Sequence, residues 1–462
     1  MPIPGGAVRP GGPSQPTGQS MSRVNRLAGV TAVLLLLAGA TGFLSIARFL
    51  SGSEEDNSDR AAPIASAADR AITQLQQRLA SKPNDLVSLD GLGSAYLQKA
   101  RESGDPAFYT KAGGLFDKAQ AIDPTDQEGI TGASRLAAAR HDFARALELA
   151  QQALRLDPDD PDIQGALGDA LVELGRYDEA RSAFQRMLDA RPDLNAYVRI
   201  AYVRELYGDS VGAIEAMKLA VEAVRPGGET AAWVHWQLGN IYFNTNAPDN
   251  AAAEYRAALD AFPGYVHAVA GDARLAAARG DYEKAIELYR DVTARQPVVE
   301  YVAALGDVYR AAGRDGDAQR QYALVGAIDS LYRANGIDTD LEMALYMANH
   351  DVNREDALGQ ARAAYEARRG SIRAADVLSW ALYKIGKNDE ALNYSREALR
   401  LGTQDPTILF HAGMINYKVG DRDAARDYLS RAIQINPSFS ILYGEQARTT
   451  LEDLQNAVKR QE

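Results

Sequence analysis

Residues 161–192 read PDIQGALGDALVELGRYDEARSAFQRMLDARP and contain two helical patterns with a short Gly-Arg-Tyr turn between them. Gly168 and Leu171 share a face of the first pattern, and Ala180 and Phe184 share a face of the second. Because Gly168 and Ala180 are small, the two helices can approach closely, and Leu171 and Phe184 fill the space between them. The stretch predicts an antiparallel helical hairpin, which the proline at its end terminates.

One hairpin of this size cannot bury its own apolar face, so a stable fold requires the pattern to recur. Alanines in register with Ala180 do recur, at spacings of 33 to 39 residues, and 34 is the commonest spacing. These alanines are Ala112, Ala146, Ala180, Ala213, Ala251, Ala285, Ala318, Ala357, Ala391 and Ala425. Leu-Gly pairs mark the first helix of four copies, at Leu92-Gly93, Leu167-Gly168, Leu238-Gly239 and Leu305-Gly306. The sequence therefore predicts about ten hairpins over roughly residues 86–439.

A repeat of about 34 residues with this pattern resembles the tetratricopeptide repeat (TPR). The resemblance implies an all-α fold, namely a right-handed α-solenoid of about ten hairpins. The sequence departs from the family pattern in two ways. The family's first-helix Trp is absent from its usual place in every copy, and Leu345 stands in repeat eight where a small residue is expected.

Two amphipathic helices are predicted at the ends of the array, where they would cover the outer faces of the first and last repeats. Residues 65–80 carry Ile72 and Leu79 at helical spacing, and Leu451 and Leu454 share one face of a last helix. Residues 65–462 are therefore expected to form one solenoid with a capping helix at each end.

Two repeats are longer than the others. The extra residues of repeat one, including 101–106, are expected to lie in the loop between its two helices. In repeat seven, residues 325–334 are expected to extend the second helix until Asn335-Gly336 ends it.

The chain before the array divides into three parts. Residues 1–26 are rich in Gly, Pro and Ser and are expected to be a disordered cytoplasmic tail. Residues 27–47 contain no charge, and such a run is long enough to cross a hydrocarbon core of about 30 Å as one transmembrane helix. Residues 48–64 are predicted to be a linker.

Two alternatives to a membrane anchor are a cleaved signal peptide, with cleavage near Ala38-Gly39-Ala40, and a buried core helix. The long leader favours the anchor. Arginines precede the apolar run and acids dominate the linker after it, so the positive-inside rule predicts a cytoplasmic N-terminus and repeats in the periplasm or otherwise outside the cytoplasm.

The composition excludes several classes of site and partner. There is no cysteine, so disulfides, thiolate metal sites and a cysteine nucleophile are excluded. The first 50 residues hold four arginines and no acid, so the remainder has 46 basic and 62 acidic side chains, a net charge of −16. An acidic array argues against nucleic acid as a partner, because phosphate binding requires a basic face.

No catalytic or cofactor motif is recognisable. The five histidines are scattered, with no pair at i, i+3 or i, i+4 that could share a metal ion, and each is expected on a helix surface or in a loop. A phosphate-binding GxxxxGK[ST] loop is absent. We therefore expect a protein that is not an enzyme and that uses no cofactor or metal.

The resemblance to TPR arrays implies that the first helix of each repeat lines a concave groove. Carried over position by position, this rule predicts a peptide-binding surface rich in aromatic side chains, with packing between neighbouring helices as the alternative for each of them. The predicted groove residues are Tyr202, Trp233, Trp236, Asn240, Phe243, Arg274, Arg310, Trp380, Tyr383, Phe410 and Tyr417. The carboxylate clamp of the family is not met, because Trp236 and Gly271 stand where a lysine and an asparagine are expected.

These features predict a membrane-tethered scaffold or chaperone-like adaptor that binds apolar or basic segments of other envelope proteins. One alternative is a regulatory or substrate-recruiting subunit of an envelope enzyme complex, such as a transferase or a secretion or assembly machinery. Another is a platform for homo-oligomerisation.

Overall fold

Twenty-two α-helices follow one another through residues 66–459, the part of the chain that the computed structural model describes, and no strand occurs there. The first eleven are α1 (Ala67–Ser81), α2 (Leu86–Ser103), α3 (Ala107–Ile122), α4 (Gln127–Ala139), α5 (Phe143–Leu156), α6 (Pro161–Glu173), α7 (Tyr177–Ala190), α8 (Leu194–Leu206), α9 (Ser210–Ala223), α10 (Glu229–Asn244) and α11 (Pro248–Ala261). The others are α12 (Val266–Ala278), α13 (Tyr282–Arg295), α14 (Val299–Ala311), α15 (Asp315–Ala334), α16 (Asp340–His350), α17 (Arg354–Ala367), α18 (Ile372–Lys384), α19 (Asn388–Ala398), α20 (Pro406–Val419), α21 (Arg422–Ile435) and α22 (Gly444–Lys459).

Each hairpin closes around the alanine that defined the repeat. All ten of these alanines are at most 1 % exposed. The aromatic ring one turn further along the second helix packs against the glycine of the first, as Phe184 does against Gly168. A Cβ at Gly168 would overlap that ring, and Gly239 stands in the same relation to Tyr255. The repeated Leu-Gly pair therefore exists because only glycine leaves room for the ring.

Aspartates begin many of the helices. The Asp160 side chain accepts hydrogen bonds from the backbone N–H groups of Asp162 and Ile163, at 2.7 and 3.2 Å, and so caps α6. Asp193 and Asp405 cap α8 and α20 in the same way. These caps satisfy N–H groups that have no partner within their own helix.

Two expectations about the longer repeats meet different outcomes. Helix α15 runs for 20 residues and ends before Asn335, which confirms the extended helix. The prediction of a long loop in repeat one is wrong, because α2 continues to Ser103 and Arg101 is therefore helical. Only residues 104–106 separate α2 from α3.

The end helices lie where the amphipathic patterns indicated. Helix α1 packs on α2, and α22 packs on α21, with Leu454 buried in the same cluster as Phe410. No helix within residues 66–459 is long and apolar enough to cross a membrane. The predicted span at 27–47 lies outside the described residues.

Successive turns of the superhelix touch each other along a seam. The Tyr177 hydroxyl accepts the backbone N–H of Ile372 at 2.9 Å, 195 residues later in the chain. The Asn436 side-chain amide donates to the Phe243 carbonyl at 2.9 Å, across 193 residues. One superhelical turn therefore takes about six repeats of 34 residues.

The seam depends on a close approach of two backbones. Gly175 has a φ of +73°, and a Cβ there would overlap the carbonyl group of Gly370 on the next turn. Further along the seam, the His141 ring contacts the Asp338 carbonyl at 2.7 Å. Because the turns close on each other, the concave face of the array becomes the interior of the molecule.

Candidate functional site

The first helices of the repeats enclose a cavity of about 810 Å³ inside the superhelix. Tyr202 from α8, together with Trp233 and Asn240 from α10, lines one wall. Arg373 from α18 reaches the same cavity from the next superhelical turn. A second cavity of about 390 Å³ shares Tyr202, Glu205 and Arg373 with the first. We call the two cavities together the interior cleft.

Charged side chains of both signs face the interior cleft. Arg199 binds Asp169 through two hydrogen bonds of 2.8 and 2.6 Å, so its charge is neutralised within the wall. Arg373 lies near Glu173 and Glu342; burial alone would lower its pKa, but these acids and Tyr202 raise it. Arg373 is therefore a permanent cation.

Glu205 carries the most perturbed carboxyl group of the interior cleft. Burial and the nearby Asp405 raise its pKa to about 7, against a partial opposing effect of Asn244. Burial also raises the pKa of Asp405. The charge of this part of the cleft consequently changes near neutral pH.

A smaller pocket of about 280 Å³ lies beside the interior cleft and shares Arg101, Glu229 and Trp233 with it. We call it the aromatic pocket. The Trp236 and His267 rings lie 5.0 Å apart, and Tyr265 meets His267 edge-on at 5.1 Å. Burial lowers the pKa of His267 to about 4, so the imidazole is neutral at pH 7. The lining residues are Ala100, Arg101, Gly104, Tyr109, Glu229, Trp233, Trp236, Tyr265, His267, Gln296 and Tyr332.

Four of the predicted groove residues line these cavities. The structure brings Tyr202, Trp233 and Asn240 together at the interior cleft, and Trp236 lies in the aromatic pocket. The Asn240 carbonyl oxygen already accepts hydrogen bonds from Tyr255 at 2.9 Å and from Arg274 at 3.1 Å. Peptide binding by these four residues stays a prediction.

Three predicted groove residues are instead packing residues, and their expected exposure is wrong. Trp380 and Phe410 are 1 % and 0 % exposed, and Phe243 is buried. The Trp380 ring stacks on Tyr383 at 4.7 Å, and Phe410 stacks on Tyr443 at 5.1 Å. The segment that leads into α22 covers this end of the groove face, so its aromatic rings stabilise the last repeats.

The remaining predicted groove residues lie away from the cavities. The Arg274 guanidinium sits 3.9 Å above the Phe243 ring, and Arg310 lies over Tyr322 at 5.0 Å. Tyr417 is exposed on α20. The predicted groove residues therefore do not form one continuous surface, and the ones that line a cavity all lie on α8 and α10.

Two histidines contradict the expectation of surface or loop positions. His411 is 1 % exposed, and its Nδ1 lies 3.0 Å from Asp376 Oδ1. His350 Nε2 lies 2.8 Å from Asp307 Oδ1. The aspartate partners lie 35 and 43 residues away in the chain, so no short-range spacing in the sequence predicts these pairs. Among the described residues, no group of three or more His, Asp or Glu could hold a metal ion.

Several residues of the cavities were missed from the sequence, notably Arg101, Glu205 and Glu229. Glu205 lies three positions after Tyr202 on the same helical face, so the groove rule could have found it. Glu229 and Arg101 line the same pocket although they are far apart in the sequence, and no local pattern predicts that the superhelix brings them together.

Family models of the tetratricopeptide repeat match residues 137–202, 244–308 and 377–438. These three stretches are tetratricopeptide repeats. They cover helices from the early, middle and late parts of the array, which together form an all-helical TPR solenoid.

One curated relative is cellulose synthase operon protein C from Pseudomonas fluorescens (strain SBW25), 28 % identical over 197 residues. The match covers 41 % of this chain and 15 % of that protein, so the chain spans a small fraction of its relative's length.

Several solved structures resemble the TPR solenoid. The Cut9–Hcn1 hetero-tetramer of APC/C has 13 % identity and a TM-score of 0.37, covering 84 % of this chain and 93 % of that chain. YrrB, described as a TPR protein with an unusual peptide-binding site, has 23 % identity and a TM-score of 0.28, covering 39 % and 92 %.

Proposed function

We propose that this protein is a non-catalytic scaffold that binds segments of partner proteins in the interior cleft. The observation that carries the proposal is the cavity of about 810 Å³, which combines the apolar rings of Tyr202 and Trp233 with polar groups such as Asn244 and Arg373. Partly buried aromatic rings beside a few fixed polar groups are typical of protein hot spots and ligand pockets. The TPR assignment supports a role in protein interaction.

Charge favours a basic or apolar segment over an acidic one. The chain after its first 50 residues has a net charge of −16. Inside the cleft Arg199 is paired with Asp169, whereas Glu205, Glu342 and Asp405 lie around the cation Arg373. Opposite charge on the partner would speed the encounter and select against acidic competitors.

The same proposal places the scaffold at a membrane. Residues 27–47 would anchor the chain as one transmembrane helix, with the N-terminus in the cytoplasm and the repeats outside it. The supporting observations are the uncharged run and the arginines that precede it. Protease added to spheroplasts should then digest the array. Protection of the array together with cleavage of an N-terminal tag would show the opposite topology.

Site-specific photocrosslinking in cells tests the binding proposal. A benzophenone amino acid at position 202 lies inside the cleft, whereas the same group at position 211 lies on an exposed side chain of α9. We expect a discrete crosslinked partner from position 202 and not from position 211. Identical products from the two positions, or products from position 211 alone, would contradict binding in the cleft.

The partial match to cellulose synthase operon protein C favours a second candidate function. The protein would then be a regulatory or substrate-recruiting subunit of an envelope enzyme complex. Purification of the full chain from membranes in mild detergent distinguishes the two roles. An enzyme subunit recovered in constant stoichiometry would support the second, and diverse substoichiometric partners would support an adaptor.

A further inference from the structure

The aromatic pocket is built by two turns of the superhelix. Gly104, between α2 and α3, accepts a hydrogen bond from the Tyr332 hydroxyl of α15 at 3.1 Å. A Cβ at Gly104 would overlap Gln296, which shows how closely the two turns approach. Trp233 and Trp236 of α10 form another wall. The pocket therefore belongs to the closed superhelix and not to any one repeat.

Two buried polar atoms in this pocket lack a hydrogen-bond partner among the described residues. They are the Tyr265 hydroxyl and Oε1 of Gln296, in side chains that are 4 % and 6 % exposed. A buried acceptor without a donor lowers the stability of the fold. Such atoms indicate a position where a ligand donor would be favourable.

A buried carboxylate adds negative charge to the same pocket. Glu229 is 7 % exposed and accepts a hydrogen bond from the Gln98 side-chain amide at 2.5 Å. No ion pair to Glu229 occurs among the described residues. The neighbouring His267 is neutral at pH 7. Arg101 also lines the pocket, but its side chain is exposed and its guanidinium donates to Gln98.

We propose that the aromatic pocket binds one basic side chain, an arginine or a lysine, of the partner segment whose main part lies in the interior cleft. This inference rests on the proposed function and names the partner's chemistry. A cation is attracted by the faces of Trp233 and Trp236 and by the Glu229 carboxylate, and its N–H groups can donate to Gln296 and Tyr265. An anionic group would instead meet a buried carboxylate.

The size and position of the pocket fit this occupant. Its volume of about 280 Å³ suits one long side chain more than a folded segment. Trp233 lines both the pocket and the interior cleft, so a chain in the cleft could extend one side chain past it. The net charge of −16 agrees with a basic partner.

The test uses the full chain in detergent and two small probes of the same shape. N-acetyl-arginine amide carries the guanidinium, and N-acetyl-citrulline amide is its uncharged counterpart. We expect a saturable change in tryptophan fluorescence with the arginine probe, at a Kd of about 1 mM or tighter, and at least tenfold weaker binding of the citrulline probe. Equal binding of the two probes, or no response to either, would overturn the proposal.

Two variants locate the binding. Glu229→Gln keeps the acceptor for Gln98 but removes the charge, and we expect it to weaken arginine binding at least tenfold, whereas Glu222→Gln on the exposed face of α9 should not. Tyr265→Phe removes a hydroxyl that has no hydrogen-bond partner within the described part of the chain, so it should weaken binding of the arginine probe without lowering the melting temperature. Undiminished binding in both variants would place the probe elsewhere.

The outcomes separate this inference from the proposed function. If position 202 crosslinks a partner but the arginine and citrulline probes bind alike, the proposed binding of a basic side chain in the aromatic pocket is wrong, and binding in the interior cleft is still supported. If arginine binding depends on both Glu229 and Tyr265 but position 202 crosslinks nothing, binding in the aromatic pocket is supported and binding in the interior cleft is wrong, because Tyr265 lines the pocket but not the cleft.

Discussion

Single small residues decide how closely the helices of this array approach. Ala180 is fully buried against the first helix of its own hairpin, and Gly168 leaves room for the Phe184 ring. These residues contribute less by burying area than by allowing larger side chains to interdigitate. Their repetition is what made the fold predictable from the sequence.

Replacing Ala180 by Leu should therefore lower the free energy of unfolding by about 1–3 kcal/mol, because a larger side chain cannot fit the fully buried site. The matched control is Ala190→Leu, at an exposed position near the end of the same helix. Thermal unfolding followed by circular dichroism measures both. A control that is as destabilised as Ala180→Leu would mean that packing at position 180 is not the cause.

Glu205 gives the stability a pH dependence of defined sign. Its folded-state pKa is raised from 4.5 to about 7 by burial and Asp405, so the folded state favours the protonated carboxyl. The contribution is fully present below pH 4.5 and is lost as the pH rises through about 7. Asp90 acts in the same direction, since burial and Asp126 raise its pKa to about 7.

The variant Glu205→Gln should lose part of this dependence and melt higher than the parent at pH 8, with little difference at pH 4. Glu222→Gln, on an exposed part of α9, serves as the control and should keep the parent's pH profile. Melting temperatures across pH 4–8 provide the measurement. Parallel profiles for the parent and Glu205→Gln would show that Glu205 ionises normally.

At the scale of the helices, local signals were sufficient where the cause was local. Asn335-Gly336 ends α15 as the sequence predicted, and Asp160 caps α6 directly before Pro161. Arg101 was misplaced because α2 continues one turn further than the repeat period predicted. The prediction that Trp380 and Phe410 line an open groove is wrong, because a segment that follows the last repeat covers them.

At the scale of the whole molecule, the repeat pattern in the sequence does not predict where successive turns of the superhelix meet. The period of about 34 residues defines each hairpin, whereas the turn of the superhelix depends on small rotations between repeats. Three contacts of the seam join residues 193 to 197 apart in the chain, such as Tyr177 with Ile372. Closure is also why Arg101 and Glu229, far apart in sequence, face one pocket.

The seam can be opened by one methyl group. Gly175→Ala should push the turns apart and increase the radius of gyration in solution, because its Cβ would overlap Gly370. Gly386→Ala is the matched control, since Gly386 also has a left-handed φ, of +83°, but a Cβ there meets nothing within 4 Å. Small-angle X-ray scattering compares the two. An equal radius for both variants would contradict a closed seam.

The central claim is that a partner segment binds inside the superhelix, and the affinity of one variant tests it most directly. A peptide taken from the crosslinked partner is titrated against the parent, Trp233→Ala and Tyr417→Ala, with melting temperatures measured in parallel. Trp233 lines the interior cleft, whereas Tyr417 is a predicted groove residue on the exposed surface. We predict a loss of about 2 kcal/mol in binding for Trp233→Ala and no change for Tyr417→Ala. An unchanged Kd for a stably folded Trp233→Ala, or an equal loss for Tyr417→Ala, would contradict binding in the interior cleft.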